Sequence, residues 1–343
     1  MSKQPSPIEI LKKYWGYESF RSLQEDIILS VINGKDTIAL LPTGGGKSIC
    51  FQVPALCMEG ICVVISPLIA LMQDQVNALR ERDIKAVSLD SSLSYQQVDR
   101  ELDNCVHGDV KFLYLSPERL KNEMVLTRLS MMNVNLIAVD EAHCISEWGY
   151  DFRPPYLQLA EVREIIPDTP VLALTATATP LVVADIHDKL KFRHDNIIQK
   201  SFERSNIAYM VLAEEDTYGR IKRILSRIKG TSIIYVRNRR MTREVANRLV
   251  QSGISATFYH AGLSFEERKS RQAQWISGQI RVVVATNAFG MGIDKPDVRT
   301  VIHLGLPDSL EAYFQEVGRA GRDGEKAFGV ALVSNSNIDS LSN

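Results

Sequence analysis

Cysteine is scarce in this sequence of 343 residues, and the few thiols are scattered. The five cysteines stand at Cys50, Cys57, Cys62, Cys105 and Cys144, and no two of them form a CxxC pair. An odd, unpaired set argues against a disulfide framework and suits a reducing compartment such as the cytoplasm. Structural zinc sites need closely spaced cysteine or histidine ligands, so we expect no zinc in this chain.

Long apolar runs are also missing. The longest run, Ile61 to Met72, is interrupted by Ser66 and Pro67. It is too short to span a bilayer, which takes about 20 apolar residues. The first fifteen residues contain no apolar stretch followed by a small-residue cleavage site. We therefore predict no secretory signal and no membrane partner.

The sequence has almost no net charge, because 40 Lys and Arg residues face 41 Asp and Glu residues. This balance gives no hint of a nucleic-acid partner, but it excludes none, because such binding depends on local charge. Apolar residues at 45% and charged residues at 24% are typical of globular proteins. A chain of this length is expected to form two domains.

Short apolar, β-branched runs alternate with longer helical stretches along the chain. The runs span residues 36–41, 61–66, 110–116, 136–140 and 171–175 in the first half, and 232–236, 256–259, 281–285, 300–304 and 328–333 in the second. Each run is apolar on both faces, as expected for parallel strands covered by helices. Helices are predicted at residues 69–82, 242–251 and 265–277.

This alternation predicts an α/β fold with two parallel-sheet domains. Five strands are predicted on each side of the polar stretch Lys200–Asn206, which is the candidate linker. The domains are therefore placed at residues 1–205 and 206–343.

The strongest single motif is Leu41-Pro-Thr-Gly-Gly-Gly-Lys-Ser48, between a predicted strand and a helix that begins near Ser48. Its glycines let main-chain N–H groups close around phosphate oxygens, and the helix N-terminus attracts an anion. Lys47 would contact the β- and γ-phosphates of ATP, and the Ser48 hydroxyl would ligate Mg²⁺. The predicted nucleotide-binding residues are Thr43, Gly44, Gly45, Gly46, Lys47 and Ser48. The alternative is a glycine-rich turn with an incidental Lys-Ser pair.

Two acids follow the predicted strand in Leu136-Ile-Ala-Val-Asp-Glu-Ala-His143. Strand ends of a parallel sheet face the ligand crevice, so Asp140 would hold Mg²⁺ and Glu141 would orient and deprotonate the attacking water. An acidic surface corner is the alternative. His143 would either couple this site to a second ligand or bond a neighbouring main-chain group.

These motifs and the segments around them resemble the RecQ family of DNA helicases. The Asp-Glu-Ala-His motif is followed by an aromatic-rich segment, Cys144-Ile-Ser-Glu-Trp-Gly-Tyr-Asp-Phe-Arg-Pro-Pro-Tyr156, that is similar to the family's aromatic-rich loop. Other blocks follow the family's order: Trp15–Gln24, Ser66–Gln75, Leu174–Ala178, Tyr259–Gly262, Ala285–Asp294 and Gln315–Gly324. The resemblance covers residues from about 10 to 335.

The resemblance implies two tandem RecA-like parallel-sheet domains of the superfamily 2, P-loop NTPase type. It implies DNA-stimulated ATP hydrolysis, 3′→5′ movement on single-stranded DNA, unwinding of tailed duplexes, and roles in recombination and repair. A monomer in the cytoplasm, associated with the nucleoid, is expected. Leu41 stands where the usual P-loop pattern has glycine, a position that helicases often relax.

The resemblance also assigns residues outside the phosphate site. Arg21 and Gln24 would recognise the adenine end of the nucleotide, and a Gln side chain can pair with adenine. Arg319 and Arg322 would reach the γ-phosphate from the second domain, unless they are structural tethers to Asp323 or Glu316. Gly290, Gly292 and Asp294 would link the nucleotide to the strand-binding face, or only shape a turn.

Trp148, Phe152 and Arg153 of the aromatic-rich loop are the predicted DNA contacts, with the two rings stacking on bases. The alternative is that the rings belong to the core. A second candidate is the basic cluster Arg237, Arg239, Arg240 and Arg243, placed in a loop after a predicted strand. DNA contact and a solvated surface are equally compatible with this cluster, which the family pattern does not share.

Three other functions fit parts of the pattern. An RNA helicase would share the architecture, a non-catalytic nucleic-acid clamp would share the surface, and a metabolic kinase would share the P-loop. The full set of catalytic motifs argues against a clamp, and the second arginine-bearing domain argues against a kinase. Longer members of the family continue into a four-cysteine zinc module and a winged helix, which the sequence up to Asn343 does not contain. Weak duplex separation is therefore expected.

Overall fold

The computed structural model describes residues 5–42, 44–90, 93–149, 151–176, 178–201, 203–289 and 295–334. The chain divides into two compact units, Met1–Phe202 and Glu203–Asn343. Among the described residues, no helix combines the length and the apolar character needed to cross a membrane.

The first unit is a seven-stranded parallel sheet with helices on both faces. Its strands are β1 (Thr37–Leu40), β2 (Ile61–Ile65), β3 (Ala86–Leu89), β4 (Phe112–Leu115), β5 (Val134–Val139), β6 (Val171–Thr175) and β7 (Ile197–Gln199). Its helices are α1 (Pro7–Trp15), α2 (Gln24–Ile32), α3 (Lys47–Cys57), α4 (Ile69–Arg80), α5 (Tyr95–His107), α6 (Glu123–Met131), α7 (Leu159–Ile165) and α8 (Pro180–Lys189). The strand order is β3-β4-β2-β5-β6-β1-β7.

The second unit is a six-stranded parallel sheet in the order β10-β11-β9-β12-β13-β8. The strands are β8 (Ile207–Ala213), β9 (Thr231–Val236), β10 (Ala256–Tyr259), β11 (Val282–Ala285), β12 (Val298–Leu304) and β13 (Ala327–Val333). The helices are α9 (Thr217–Arg227), α10 (Arg239–Gln251), α11 (Phe265–Ile276) and α12 (Leu310–Val317).

The apolar runs form strands because both of their faces are buried. In β1, Ile38 and Leu40 pack into the core on one face of the sheet, whereas Ala39 packs into the core on the other. The same alternation places Val63 and Val64 of β2 on opposite faces. Period-two alternation between two apolar layers explains why these strands are apolar throughout.

The expectation of five strands in each domain was wrong, because the structure adds β3, β7 and β8. All three lie at sheet edges, where a strand has one neighbour and less cover. In β8 the burial alternates, with Tyr209 and Val211 exposed. A search for runs that are apolar on both faces misses strands of this kind.

A buried ion pair anchors the start of β1. The Asp36 side chain is fully buried and accepts hydrogen bonds from the Val171 main chain at 3.0 Å, from Arg163 Nη2 at 2.6 Å and from Arg193 Nε at 3.0 Å. Burial alone would raise the pKa of Asp36, but the bonds from Arg193 and Val171 and the charge of Arg163 outweigh it, so the pKa is lowered. This stabilisation is present at neutral pH and is lost in acid, as the pH falls through the lowered pKa.

Candidate functional site

The carboxyl ends of three adjacent strands, β5, β6 and β1, bring the predicted phosphate site together. The Leu41 N–H donates to the Thr175 carbonyl at 3.1 Å, and the Asp140 N–H donates to the Ile65 carbonyl at 2.8 Å. The segment after β1 and the acids after β5 therefore lie at one edge of the sheet, where ligands of parallel sheets bind.

Helix α3 begins at Lys47, directly after the glycine segment. Gly46 has a φ of +76°, a left-handed conformation that favours glycine, and a Cβ at this position would lie 2.4 Å from Gln24 Nε2 and displace that side chain. Among the described residues, no side chain caps the start of α3, so its first N–H groups could bind an anion. Ser48 follows Lys47 in the first turn and is partly buried, and Thr43 lies outside the described residues.

Lys47 meets both predicted acids. Its Nζ lies 3.2 Å from Glu141 Oε1 and 3.9 Å from Asp140 Oδ1, with all three side chains at least four-fifths buried. Burial raises the pKa of Asp140 to about 6, against the positive charge of Lys47, and the charge of Glu141 adds to the rise. A bound divalent cation would reverse that shift, because it stabilises the ionised carboxylate.

Glu141 has a strained main chain. Its φ of +48° lies in the left-handed region, which is uncommon for a residue with a long side chain. Such strain costs about 1–3 kcal/mol and concentrates at functional sites. The conformation directs the Glu141 carboxylate toward Lys47 while the Glu141 N–H donates to Asp140 Oδ1 at 3.0 Å. The residues present therefore fit a magnesium–phosphate ligand, with one cation, two carboxylates and a nearby hydroxyl.

His143 is buried and contacts side chains of the same site. Its Nδ1 lies 2.9 Å from Thr175 Oγ1 and 3.5 Å from Glu141 Oε2. Burial lowers the pKa of His143, although the charge of Glu141 opposes the shift. Thr175 was not predicted to have a role. It lies at the end of a predicted strand and in the segment Leu174–Ala178, which resembles the family pattern, and no other signal marks it. The neutral ring thus connects the acids to the end of β6.

Arg21 and Gln24 lie against the glycine segment in this structure. Gln24 Nε2 donates to the carbonyls of Gly46 at 3.1 Å and Gly45 at 3.3 Å, and Arg21 Nη1 donates to the Gly44 carbonyl at 2.8 Å. These contacts brace the phosphate loop, which sequence reasoning did not foresee. Recognition of adenine by the two side chains stays a prediction.

The predicted arginines of the second unit follow α12. Arg319 is mostly buried and Arg322 is partly exposed. Burial raises the pKa of Tyr235 to about 12, while the charges of both arginines and a hydrogen bond from Arg319 oppose the rise. The two acids considered as tethers have other partners, because Arg299 Nη2 donates to Asp323 at 2.6 Å and His303 Nε2 lies 2.7 Å from Glu316. Gly290, Gly292 and Asp294 lie outside the described residues.

Comparison with known proteins identifies the family. Residues 21–186 match the DEAD/DEAH box helicase family, and residues 216–324 match the helicase conserved C-terminal domain. The probable ATP-dependent DNA helicase RecS of Bacillus subtilis is 44% identical over 94% of this chain and 66% of its own length. The ATP-dependent DNA helicase RecQ of Haemophilus influenzae is 44% identical over 94% of this chain and 52% of its own length.

This chain belongs to the RecQ helicase family. It spans between about half and two thirds of the length of these curated relatives. Among solved structures, the helicase Lhr of Mycobacterium smegmatis bound to ssDNA and AMP-PNP has a TM-score of 0.75 and 22% identity, over 96% of this chain and 48% of that one. This likeness concerns the fold alone and, with the two family matches, confirms the predicted pair of superfamily 2 α/β domains.

The aromatic-rich loop of this RecQ-family chain exposes one of its predicted DNA contacts. Trp148 is 71% exposed, so it does not belong to the core. Phe152 is partly buried, with Lys189 Nζ 5.9 Å from its ring centre. Arg153 donates to Asp151 Oδ2 at 3.0 Å and to the Pro67 carbonyl at 3.3 Å, so a DNA phosphate would have to compete with Asp151.

The aromatic-rich loop is hydrogen-bonded directly to the main chain of Asp140. The Tyr156 hydroxyl donates to the Asp140 carbonyl at 2.8 Å, and the Arg153 N–H donates to the Cys144 carbonyl at 2.8 Å. The first of these contacts crosses sixteen residues and could not be read from spacing. A displacement of the loop would therefore be transmitted to the main chain of Asp140.

The placement of the basic cluster in a loop holds for Arg237, between β9 and α10, but was wrong for its other three arginines. Arg239, Arg240 and Arg243 lie in the first turns of α10, because the Asn238 side chain accepts from the Met241 N–H and caps the helix there. Arg240 pairs with Glu244 at 2.7 Å. Arg243 lies with its guanidinium carbon 5.1 Å from the Phe258 ring centre. All four arginine side chains are exposed to solvent, and DNA contact stays one of the two predictions for this cluster.

Proposed function

We propose that this chain is the core of an ATP-dependent DNA helicase, which hydrolyses ATP and moves along single-stranded DNA in the 3′→5′ direction. The observation that carries the proposal is the meeting of Lys47, Asp140 and Glu141 beyond the carboxyl ends of the parallel strands. One cation and two buried carboxylates are the groups that phosphoryl transfer to water needs. The RecS and RecQ relatives are named as ATP-dependent DNA helicases, which supports DNA as the strand. Membership of the RecQ family supports recombination and repair as the setting.

The chemistry follows from the contacts. Lys47, which pairs with Glu141 in this structure, would turn to the β- and γ-phosphates of bound ATP. Glu141 would then be available to orient the attacking water and accept its proton. Ser48 and Asp140 would hold Mg²⁺, which neutralises phosphate charge when bound. Arg319 and Arg322 would neutralise the charge that develops as the γ-phosphoryl group leaves.

Movement would follow from the loss of the γ-phosphate. ATP held by the phosphate loop of one unit and by an arginine of the other would favour closure, and hydrolysis would release it. If each unit grips the strand in turn, repeated closure becomes stepping.

The function is tested by measuring phosphate release with and without single-stranded DNA, with RNA of the same sequence in parallel, together with unwinding of a 3′-tailed duplex. We expect DNA to stimulate ATP hydrolysis more strongly than RNA. A stronger response to RNA would favour an RNA helicase, and no ATP hydrolysis with either strand would favour a clamp. Phosphate transfer to a small molecule, without any response to DNA, would favour a kinase.

Trp148→Ala should remove most of the DNA stimulation of ATP hydrolysis and leave nucleotide binding unchanged. Stacking of one base on an aromatic ring contributes about 1–3 kcal/mol, and the loop is hydrogen-bonded to the main chain of Asp140. The measurement is phosphate release as a function of DNA concentration. Tyr95→Ala is the matched control, because Tyr95 is 70% exposed in the same unit and lies outside the loop. Equal stimulation in Trp148→Ala and the parent would contradict the prediction.

A further inference from the structure

Arg204 is bonded to the main chain of the segment that carries the two predicted catalytic arginines. It lies near the start of the second unit, just before β8. Its Nη1 donates to the Gly318 carbonyl at 3.3 Å, and its Nη2 donates to the carbonyls of Ala320 at 3.1 Å and Gly321 at 3.0 Å. One planar guanidinium thus holds three carbonyls of a single turn. We call residues 318–322 the arginine loop.

Asn206 bonds to the same loop from two residues further along the chain. Its Nδ2 donates to the carbonyls of Gly321 at 2.8 Å and Glu325 at 3.0 Å. Gly321 has a φ of +56°, and a Cβ at this position would lie 2.5 Å from Asn206 Nδ2. The turn is therefore built around this side chain, because glycine alone permits both the main-chain conformation and the close approach.

Two of the bonded carbonyls belong to the peptide groups that directly precede the two arginines. The Gly318 carbonyl belongs to the peptide group that leads into Arg319, and the Gly321 carbonyl belongs to the one that leads into Arg322. Fixing the plane of a peptide group fixes the N and Cα positions of the next residue and so restricts the directions that its side chain can take. Burial lowers the pKa of Arg204, and main-chain oxygens supply acceptors for its buried donors.

We propose that Arg204 and Asn206 are positioning residues, which hold the arginine loop in the orientation that ATP hydrolysis requires. The inference rests on the proposed function and assigns neither residue a contact with ATP. Preorganised charge stabilises a transition state only when it is held in place, and a displacement of about 1 Å can cost about 100-fold in rate. The start of the second unit would thereby carry the residues that orient the arginines.

Arg204→Lys tests the proposal, because a lysine keeps the charge but cannot bond three carbonyls in one plane. Arg281→Lys is the matched control in the same unit. Arg281 also donates to three carbonyls, those of Gly230 at 2.9 Å, Leu225 at 2.6 Å and Ile228 at 2.7 Å, and burial also lowers its pKa. Its acceptors belong to α9 and the turn before β9, not to the arginine loop.

We expect Arg204→Lys to lower kcat for DNA-stimulated ATP hydrolysis by about 10- to 100-fold, with KM for ATP and Kd for single-stranded DNA within about twofold of the parent. Arg281→Lys should keep kcat within about twofold, although the midpoint of thermal unfolding should fall in both variants. Parental kcat in Arg204→Lys, or equal losses of kcat in the two variants, would overturn the inference.

A second measurement separates an effect on the orientation of the arginine loop from an effect on folding. ADP with aluminium fluoride resembles the transition state, whereas ADP alone does not engage the γ-phosphate position. Arg204→Lys should weaken binding of the aluminium fluoride complex about 10-fold or more and leave ADP affinity unchanged. If Arg204→Lys fails to fold, Asn206→Ser replaces it, with the same expected result. Unchanged binding of both ligands would overturn the positioning role of Arg204 and Asn206 but not the proposed function. A folded parent chain that hydrolyses no ATP would defeat the proposed function, and this inference with it.

Discussion

Lys47→Ala should abolish ATP turnover, with a fall in the DNA-stimulated rate of phosphate release of about 100-fold or more. Lys47 contributes the cation of the site, and its Nζ lies 3.2 Å from Glu141 Oε1. Without it, the β- and γ-phosphates of bound ATP would lose their proposed charge partner at the moment when negative charge is redistributed. The two buried carboxylates of Asp140 and Glu141 would also repel an incoming triphosphate.

The control for this variant is Lys85→Ala. Lys85 also pairs with a carboxylate, that of Asp109 at 2.5 Å, but both side chains are largely exposed. Exposed pairs of this kind contribute little, about 0–1 kcal/mol, so Lys85→Ala should keep parental turnover. A folded Lys47→Ala protein that hydrolyses ATP at the parental rate would refute the assignment of the site.

The second large effect is expected at the arginine loop. Arginines that neutralise the leaving γ-phosphoryl group typically contribute about 10³- to 10⁵-fold to the rate. We expect at least one of the single variants Arg319→Ala and Arg322→Ala to lose about 1,000-fold in kcat, with affinity for ATP close to that of the parent. Single-turnover hydrolysis at saturating ATP and DNA measures this loss directly.

The two arginines should differ in their effect on stability. Arg319 is mostly buried and hydrogen-bonds Tyr235, whereas Arg322 is partly exposed. Arg319→Ala should therefore lower the midpoint of thermal unfolding as well as turnover, while Arg322→Ala should affect mainly turnover. Parental turnover in both variants would show that neither side chain acts on ATP.

The main strands and the residues of the proposed phosphate site could be predicted from the sequence because both depend on local patterns. β6 and β10 have the bounds that were predicted, since Val171–Thr175 and Ala256–Tyr259 are apolar runs between polar segments. Lys47 follows three glycines, and Asp140 follows an apolar strand. Parallel-sheet geometry then brings the two together, because both stand at carboxyl ends of strands.

The remaining features depend on contacts between distant parts of the chain. Asp36 is paired with Arg163 and Arg193, more than one hundred residues away, and nothing in its local sequence marks it as buried. Gln24 braces the phosphate loop through main-chain carbonyls, which no side-chain motif records. Arg204 reaches the arginine loop in the same way. Every residue has a main-chain carbonyl, so the residue type of the acceptor does not reveal a hydrogen bond of this kind.

We propose that one ATP molecule would be bound by Lys47 of the first unit and by an arginine of the second. A structure of the chain bound to a non-hydrolysable ATP analogue, Mg²⁺ and single-stranded DNA tests it most directly. We expect Lys47 Nζ and the guanidinium of Arg319 or Arg322 to lie within hydrogen-bonding distance of the same γ-phosphate. A triphosphate bound elsewhere, or an arginine loop directed away from it, would show that the two units do not share one ATP site.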